Sequence, residues 1–359
     1  MKKLLVIAVA LAAVNAQATR ARVTALANSP SLVDTQTVYS NPADIFSLGG
    51  DYVTLETGAT TGTTSSNGAE GMVVRSMGDA KMGLSLGHDS DNASSWGLRN
   101  AGAPFNFSQQ NPIEFTYGAK ASDMNWAGTL VYSNYNDKQA AGATVAKESS
   151  LGVRFGARAG NWDANVRLGL ASTVETGAGA KYTGSMGLGA KGGYQMDAWY
   201  LFGQLASVGF KIENAAGTEV AKYTRMDLAV GAETTVKKDG SAFMYGIKLA
   251  QSDDKESVAD TKNSSLTAPL WIAVEADAAS WLTLRGSVTQ TLQLINNSKS
   301  TTAGTTTAET APGANDTTVT AGAGLKFNKV TVDGTLAGST NQNLDGNNLL
   351  TTLGMTYWF

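Results

Sequence analysis

The sequence predicts an all-β protein, a transmembrane antiparallel up-and-down β-barrel of about sixteen strands. From about residue 50 the chain repeats one unit, in which an alternating apolar–polar segment, a polar loop, a second alternating segment and a tight turn follow one another. Short and long connections alternate strictly, as in barrels with short periplasmic turns and longer extracellular loops. After residue 18 no apolar run is long enough for a spanning helix, so a membrane-embedded backbone would have to pair in a closed barrel.

The first 18 residues have the pattern of a signal peptide. Lys2 and Lys3 precede the apolar stretch from Leu4 to Val14, which is shorter than the ~20 residues of a transmembrane helix. Small residues follow at Ala16 and Ala18, the positions that signal peptidase reads. We therefore expect cleavage after Ala18 and export of the mature chain across the inner membrane.

Residues 19–49 lack a clear alternation of polar and apolar residues. They contain Pro30 and Pro42 in turn-like contexts and several apolar residues that need shelter from water. We expect this segment to lie in or beneath the barrel lumen, at the periplasmic mouth, and to narrow it. The predicted organisation is thus a signal peptide (1–18), a periplasmic or lumenal segment (19–49) and an outer-membrane barrel (50–359).

Tight turns and longer polar loops divide residues 50–359 into sixteen segments. If the first strand, at about 50–57, and the second, at about 69–77, are not counted, fourteen strands remain. The tight turns are expected near Gly78-Asp79, Ser122-Asp-Met-Asn125, Gly160-Asn161, Asp197-Ala198, Lys238-Asp-Gly240, Ala279-Ser280 and Asn328-Lys329. The longer stretches are expected near 58–68, 89–111, 136–147, 175–181, 213–221, 254–264, 295–315 and 341–347.

Aromatic residues mark one edge of the barrel. They stand just after tight turns, where outgoing strands begin, and such amphipathic rings favour the boundary between membrane and water. We interpret them as the periplasmic girdle: Trp126, Trp162, Trp199, Phe243 and Trp281.

Alternation within the strands separates a lipid face from a lumen face. Ile113, Phe115 and Tyr117 have one parity, whereas Glu114 has the other. Charged residues inside strands fall on the inward parity almost throughout, and an Arg or Lys facing lipid at mid-bilayer would cost about 2–4 kcal/mol. This parity predicts a wet, charged lumen and therefore a channel.

Basic residues with inward parity fall on five consecutive strands, where they are expected to form a basic wall on one side of the lumen. They are Lys120, Arg154, Arg158, Arg167 and Lys191. Acidic residues lie elsewhere, with Asp89 and Asp91 at the head of the longest loop and Glu275 and Asp277 on a distant strand. Opposed basic and acidic surfaces would create a transverse field that sorts permeating solutes by charge. The alternative is that these charges keep the lumen wet and pair with one another.

Composition argues against several classes of protein. Cysteine is absent, which excludes disulfides, thiolate metal sites and cysteine nucleophiles. Removing Lys2 and Lys3 changes the formal charge from −3 to −5, which is too mild to indicate binding to nucleic acid. His88 precedes Asp89, Ser90 and Asp91, but a set of adjacent residues at a strand end does not form a separated catalytic triad. We expect neither enzyme activity nor a cofactor or metal.

The last residues alternate as a membrane strand does. Leu353, Met355, Tyr357 and Phe359 give one apolar face and a terminal aromatic residue. Bacterial outer-membrane barrels end in this way, and the segment resembles the signal read by their assembly machinery. The resemblance implies a location in the bacterial outer membrane, with lipid and that machinery as partners.

The whole pattern resembles general bacterial porins, which form passive channels for small hydrophilic solutes and ions and assemble as homotrimers. In porins the third extracellular loop folds inward, whereas the corresponding stretch here, 136–147, is short. The stretch from Asn28 to Ala43 also looks like that of major outer-membrane proteins from predatory bacteria.

A second resemblance concerns the segment before the barrel. The Asn41-Pro42-Ala43 motif is similar to the N-terminal hatch of outer-membrane long-chain fatty-acid transporters. It implies, as an alternative function, transport of hydrophobic molecules past a lumenal hatch. The charged inward parity and the sixteen strands, against fourteen in that family, favour a hydrophilic solute. A surface barrel without conductance is a third alternative.

Overall fold

A computed structural model describes residues 19–59, 67–88, 109, 111–302, 305–310, 315–339 and 352–359. The predicted signal peptide, with Ala16 and Ala18, lies outside the described residues, as do Asp89 and Asp91. The segment before the barrel contains helix α1 (Arg20–Ala25) and two 3₁₀ helices, η1 (Gln36–Tyr39) and η2 (Pro42–Phe46). Within the described ranges, no helix has the length and apolarity needed to cross a membrane.

The remainder is β-structure. The strands are β1 (Tyr52–Ala59), β2 (Asn67–Met77), β3 (Ala80–Leu86), β4 (Ile113–Ala121), β5 (Met124–Asn136), β6 (Val145–Ala159), β7 (Trp162–Thr176), β8 (Lys181–Gly184), β9 (Gly187–Met196), β10 (Trp199–Glu213), β11 (Glu219–Lys238), β12 (Ser241–Glu256), β13 (Thr261–Ala279), β14 (Leu282–Thr302), β15 (Thr305–Thr310), β16 (Asp316–Phe327), β17 (Val330–Ser339) and β18 (Thr352–Trp358).

These strands form one closed antiparallel barrel. Apart from β8, β9, β15 and β16, each strand runs antiparallel to the crossings that precede and follow it, and β1 closes the barrel on β18 from Tyr52↔Trp358 to Gly58↔Thr352. Strands β8 and β9 both pair with β7 and β10, so they are one crossing. Strand β15 pairs with the end of β14, and β16 continues along β14, so they too are one crossing. The described residues therefore make sixteen crossings, and the predicted fold is confirmed, including its first two strands.

The tight turns lie where the sequence predicts them. Ser122, Asp197 and Asn328 have positive φ angles of 55°, 51° and 54°. This left-handed geometry matches the twist of a two-residue hairpin, and short polar side chains tolerate it better than branched ones.

At the extracellular side the strands extend further than predicted. The expected loops 213–221 and 254–264 shrink to short turns, because β11 begins at Glu219, β12 ends at Glu256 and β13 begins at Thr261. The expected loop 295–315 is largely strand, in β14 and β15. Both faces of a strand meet water above the membrane, so these segments lose apolar alternation without losing their ladder hydrogen bonds.

The outer surface carries the predicted apolar belt. Ile113, Phe115 and Tyr117 are 42–43% exposed, whereas Glu114 between them is 2% exposed and faces the lumen. The girdle aromatics Trp162, Trp199, Phe243 and Trp281 are 39–52% exposed at the turn-proximal ends of their strands. Leu353, Met355, Tyr357 and Phe359 are also exposed on this face. A closed barrel with an apolar belt is the architecture of a bacterial outer-membrane protein.

Candidate functional site

The segment before the barrel contacts the inward faces of strands on all sides of the lumen. Helix α1 lies against β16–β18, where Thr320 and Thr335 donate hydroxyl hydrogen bonds to the backbone carbonyls of Ala25 and Ala21. On its other side Arg22 binds Glu275 of β13 through two bonds of 2.8 and 3.0 Å and Asp34 of its own segment at 2.9 Å. In an apolar interior these carbonyls and the guanidinium would lack hydrogen-bond partners. Polar side chains of the wall supply those partners to the short helix.

The stretch after α1 consists largely of turns and lies against β9–β13. Leu26 is fully buried with Met244 and Ala273. Ser29 donates a 2.6 Å hydrogen bond to Glu233, which also accepts one from Ser31. The Trp271 indole donates to the other oxygen of Glu233 at 2.7 Å. The carboxylate of Glu233, which is fully buried, is thus held by both the segment and the wall.

The two 3₁₀ helices cover the opposite wall, β2–β6. The Asn41 side chain accepts from the Ala43 amide and starts η2. Asp44 of η2 accepts a 2.8 Å bond from Arg158 of β6, and burial nevertheless raises the pKa of its carboxyl above the usual value. The Lys81 ammonium donates to the carbonyls of Ile45 and Leu48 at 3.0 and 3.2 Å. A lysine whose partners are carbonyls of the segment fixes the position of the backbone there.

Glu70 of β2 joins the segment to the barrel wall. It accepts from Arg20 at 2.8 Å and Gln36 at 2.7 Å, and its Oε2 lies 2.6 Å from Nδ1 of His88. The His88 ring stacks on Tyr39 with centroids 3.6 Å apart. His88 is 4% exposed, so in this arrangement it is a packed hydrogen-bonding and stacking partner between wall and segment.

Two glycines allow the segment to approach the wall closely. A Cβ added at Gly156 of β6 would lie 2.0 Å from Oδ1 of Asn41. A Cβ added at Gly354 of β18 would lie 2.3 Å from Cγ2 of Thr19. These contacts are far shorter than van der Waals separation, and both are to the segment, so the wall has a surface shaped to residues 19–49.

The structure places two residues of the predicted basic wall in ion pairs. Arg154 binds Glu114 through two bonds of 2.6 and 2.7 Å, and both side chains are 2% exposed. Arg158 binds Asp44 and lies 3.9 Å from Asp163. These charges are paired with carboxylates, which is the alternative to a transverse field. Their role in ion selectivity stays a prediction.

The other three basic residues are in different surroundings. Lys191 donates to the Pro30 carbonyl at 3.0 Å. Arg167 lies against Gly189 of the neighbouring crossing. Lys120 is exposed near the end of β4 and is separated from Arg158 by one strand, at the position of Asn125. Strand β5 contributes no basic side chain, so the five residues do not form a continuous wall.

The predicted acidic residues also separate. Glu275 bridges Arg22 of the segment and Arg285 of β14. Asp277 is about half exposed at the periplasmic end, with Lys326 at 3.0 Å and the Thr283 hydroxyl at 2.6 Å. Glu275 therefore anchors the segment, and Asp277 belongs to the periplasmic mouth.

Part of the lumen remains polar and accessible. Gln204, Asp227, Lys248 and Ser252 face inward on β10–β12 and are half-buried or exposed. Below them, at the periplasmic ends of β11–β13, is a cavity of about 670 Å³. Its lining combines residues of the segment with charged and small residues of the wall: Arg22, Ser31, Leu32, Val33, Gln195, Thr235, Lys237, Lys238, Asp239, Gly240, Ser241, Ala242, Met244, Glu275, Asp277 and Lys326. Residues 31–33 of the segment form one side of this cavity, so its width depends on how the segment docks.

The lumen is less polar than the sequence predicts. Tyr182, Phe210 and Ile212 face inward near the extracellular end and are buried with Val145 and Val174. Phe210 lies between Tyr182 and Tyr223, with ring centroids 5.2 and 5.1 Å away, and it stacks on Tyr223. The alternating pattern of the sequence does not reveal this cluster, because it predicts a polar lumen face. The inward apolar residues pack against each other beneath the extracellular turns.

No family model matches this chain, and no curated protein matches it. Several solved structures are similar to it in the path of the backbone. A loop-deletion mutant of OmpT, an outer-membrane protein of Vibrio cholerae, is 12% identical with a TM-score of 0.43, over 86% of this chain and 97% of its own. An anion-selective porin from Comamonas acidovorans is 14% identical with a TM-score of 0.39, over 86% and 98%. Another porin is 10% identical with a TM-score of 0.38, over 86% and 99%.

Proposed function

We propose that the protein is a non-enzymatic outer-membrane channel through which small hydrophilic solutes and ions diffuse, and that residues 19–49 are a plug that limits the flow. The observation that carries the proposal is the polar lumen face on β10–β12, together with the cavity of about 670 Å³ beside the plug. Barrels of sixteen strands are wide enough for an aqueous channel unless something fills them. Here the filling is a separate segment of the same chain.

The plug is attached by polar contacts in addition to apolar packing, in which Val38, Ile45 and Leu48 are buried against wall residues of β1, β2 and β5. Arg20, Arg22 and Asp44 form ion pairs with the wall, and Lys81 and Lys191 donate to plug carbonyls. Such contacts can be exchanged for water when the segment moves, whereas the barrel hydrogen bonds stay intact. A displaced plug therefore leaves a closed barrel with a wider lumen.

Planar-bilayer recordings test this function. The full chain should give small unit conductances, and deletion of residues 20–46 should raise them several-fold. Barrel folding is checked independently by the shift in electrophoretic mobility on heating. Unchanged conductance in a folded deletion variant would refute the plug, and absence of conductance in both proteins would refute the channel.

A disulfide lock tests whether the plug moves. The chain has no cysteine, and a Cβ added at Gly322 would lie 2.7 Å from Cβ of Ala25, close enough for a bridge after a small shift. The variant Ala25→Cys with Gly322→Cys should conduct less when oxidised than when reduced. Equal conductance in both states would mean that ions pass the docked segment. The Ala25→Cys single variant is the control for the reagents.

The inward apolar cluster on β8 and β10 favours a second candidate, a transporter of hydrophobic molecules with residues 19–49 as its hatch. In that case Phe210→Ser should abolish uptake of a fluorescent fatty acid by cells and leave ion conductance unchanged. We place this candidate second, because the cluster is filled by its own side chains whereas the polar face is accessible.

A homotrimer with the assembly of a porin is also part of the proposal. Sedimentation of the detergent-solubilised barrel, with the detergent contribution subtracted, measures it directly.

A further inference from the structure

Three lysines stand side by side on the outer wall of the barrel. Lys255 of β12 is directly opposite Lys262 of β13, which is directly opposite Lys299 of β14. All three are exposed. Their parity is outward, because Lys255 shares it with Phe243, Ile247 and other belt residues of β12. The row therefore faces the membrane side of the wall.

The height of the row corresponds to lipid headgroups. Lys255 follows the girdle residue Phe243 by twelve residues on one continuous strand. At ~3.4 Å per residue and a tilt of ~40°, it lies about 30 Å above the girdle along the membrane normal. The apolar band of such barrels is ~25 Å tall. The ammonium groups therefore lie just above the hydrocarbon, on the extracellular side.

The charges in this row are uncompensated within the described part of the chain. None of the three ammonium groups lies within 4.0 Å of a carboxylate there. Like charges directly opposite each other on adjacent strands destabilise a sheet. A row of three lysines is therefore stable only in the presence of an external anion or at a cost to the sheet.

The opposite side of the rim provides a comparison within the same molecule. There the outward residues alternate in sign, since Lys147 is opposite Glu175, Glu175 is opposite Lys181, and Lys181 is opposite Glu213. Lys147 lies 3.4 Å from Glu175, and Lys211 lies 2.6 Å from Glu213. Lysines at the rim are thus paired where the wall supplies glutamates, and the row on β12–β14 differs from this arrangement.

The lysine row borders a groove of about 610 Å³ on the outer wall. The other outward side chains of the groove are small and polar, from Ser207, Thr224, Ser264 and Asn297, together with Met226 and Asp253. A second carboxylate of the lining, Asp254, has inward parity and lies 3.7 Å from Arg225. Three ammonium groups beside hydroxyl and amide groups suit a phosphate that is attached to a hydroxylated moiety. A volume of this size exceeds that of a lone phosphate and is in the range of small-molecule pockets.

We propose that this groove binds the phosphate of an anionic, hydroxyl-bearing lipid headgroup in the outer leaflet. The lipid is the committed occupant because the groove is on the lipid side of the wall and begins where the apolar belt ends. The acyl chains would lie along the belt below, beside Leu228 and Leu249, which are 49% and 44% exposed. Juxtamembrane lysines attract anionic lipids in this way.

Lipid binding to the full-length barrel in nanodiscs tests the proposal. The barrel in phosphatidylcholine is titrated with fluorescent phosphatidylglycerol, and binding is measured by energy transfer from a dye outside the groove. The triple variant Lys255→Ala, Lys262→Ala and Lys299→Ala should bind on the order of 100-fold more weakly, at about five-fold per lysine. Inorganic phosphate at millimolar concentration should not compete in the wild type; if it competes fully, the site is for a free anion and the lipid assignment fails.

The matched control is Lys147→Ala, Lys181→Ala and Lys211→Ala, which removes the same charge from the paired side of the rim. It should bind as the wild type does. Equal losses in both triple variants would assign the effect to overall charge and overturn the site. If lipid binding is unchanged in the Lys255/Lys262/Lys299 variant but its oligomeric state changes, the row is a contact between barrels, and the proposal is also overturned.

A single variant covers the case in which the triple variant does not fold. Lys262→Glu creates an alternating row like that of the paired side. It should raise the midpoint of thermal unfolding in phosphatidylcholine and reduce phosphatidylglycerol binding by ten-fold or more. A purely structural role of the lysines would leave lipid binding unchanged.

Discussion

At the scale of single residues, the charged side chains of the lumen act mainly in pairs. Parity along the strands predicts that Arg154 and Arg158 face inward, and both do. It cannot predict their partners, because Glu114 is two strands away and Asp44 is 114 residues away in the chain. Pairing of this kind depends on register and on the position of the plug, which short-range patterns do not encode.

We expect Arg154→Met to destabilise the barrel strongly. The change leaves the carboxylate of Glu114 buried without its counter-ion, which typically costs about 3–5 kcal/mol. Urea unfolding of the barrel in lipid vesicles measures this loss. The exchange of both residues, Glu114→Arg with Arg154→Glu, should recover part of it. If Arg154→Met unfolds at the wild-type urea concentration, the pair contributes nothing to stability.

We expect Gly156→Ala to displace the plug from β6. The new Cβ would lie 2.0 Å from Oδ1 of Asn41, so η2 cannot keep its position. Trypsin should then cleave after Arg20 and Arg22 several-fold faster, and single-channel conductance should rise. Gly128→Ala is the matched control, since a Cβ there has its closest contact at 3.7 Å. Equal cleavage rates in the two variants would show that β6 tolerates the extra methyl group.

At the scale of elements, the sequence predicts strands better than it predicts the segment 19–49. The strands β4–β7 and β10–β13 follow directly from alternation, because lipid and water fix the two faces independently. The helices α1, η1 and η2 are at most six residues long, too short for a helical period to be recognised. Their conformation depends on wall residues such as Glu70 and Lys81, which are distant in sequence.

We expect docking of η2 to strengthen as the pH falls. The folded pKa of Asp44 is raised by burial, so the docked state takes up a proton more readily than the free segment. The protonated form favours docking below this raised pKa, and the gain is lost as the pH rises through it. Trypsin cleavage of the plug should be slower near pH 5 than near pH 7.5 after correction for the pH dependence of trypsin on an unfolded peptide.

The variant Asp44→Asn isolates this effect, because it keeps the size and hydrogen-bonding oxygen of the side chain. Its cleavage rate should depend less on pH than that of the wild type. An unchanged pH dependence would assign the effect to another group of the plug or wall.

At the scale of the whole molecule, the distribution of unpaired charge changes the expectation for ion selectivity. Arg154 and Arg158 each face a carboxylate, so their fields largely cancel at a distance. Lys248 also faces inward, and among the described residues it has no carboxylate at ion-pair distance. Its charge acts on the accessible polar face, in a confined space where water screens it less than at an open surface.

We therefore expect Lys248→Glu to shift the reversal potential toward cations in dilute salt, and more strongly than Arg154→Glu with Arg158→Glu in folded channels. The shift should shrink at high ionic strength, where the Debye length falls to ~3 Å at 1 M. Lys329→Glu, at the exposed turn between β16 and β17, is the control for net charge. If the double variant gives the larger shift, the basic residues on β6 set selectivity despite their partners.

The docking of helix α1 has a consequence for the order of assembly. Its contacts with Thr320 and Thr335 join parts of the chain that are 295 and 314 residues apart, and Thr19 lies against Gly354 in the last strand. Contacts of such long range form late, since the entropy of closing the intervening chain has to be offset first. The first residues of the described chain thus reach their final place only when the last strands are in position. The time at which α1 becomes protected from protease therefore reports when the barrel closes.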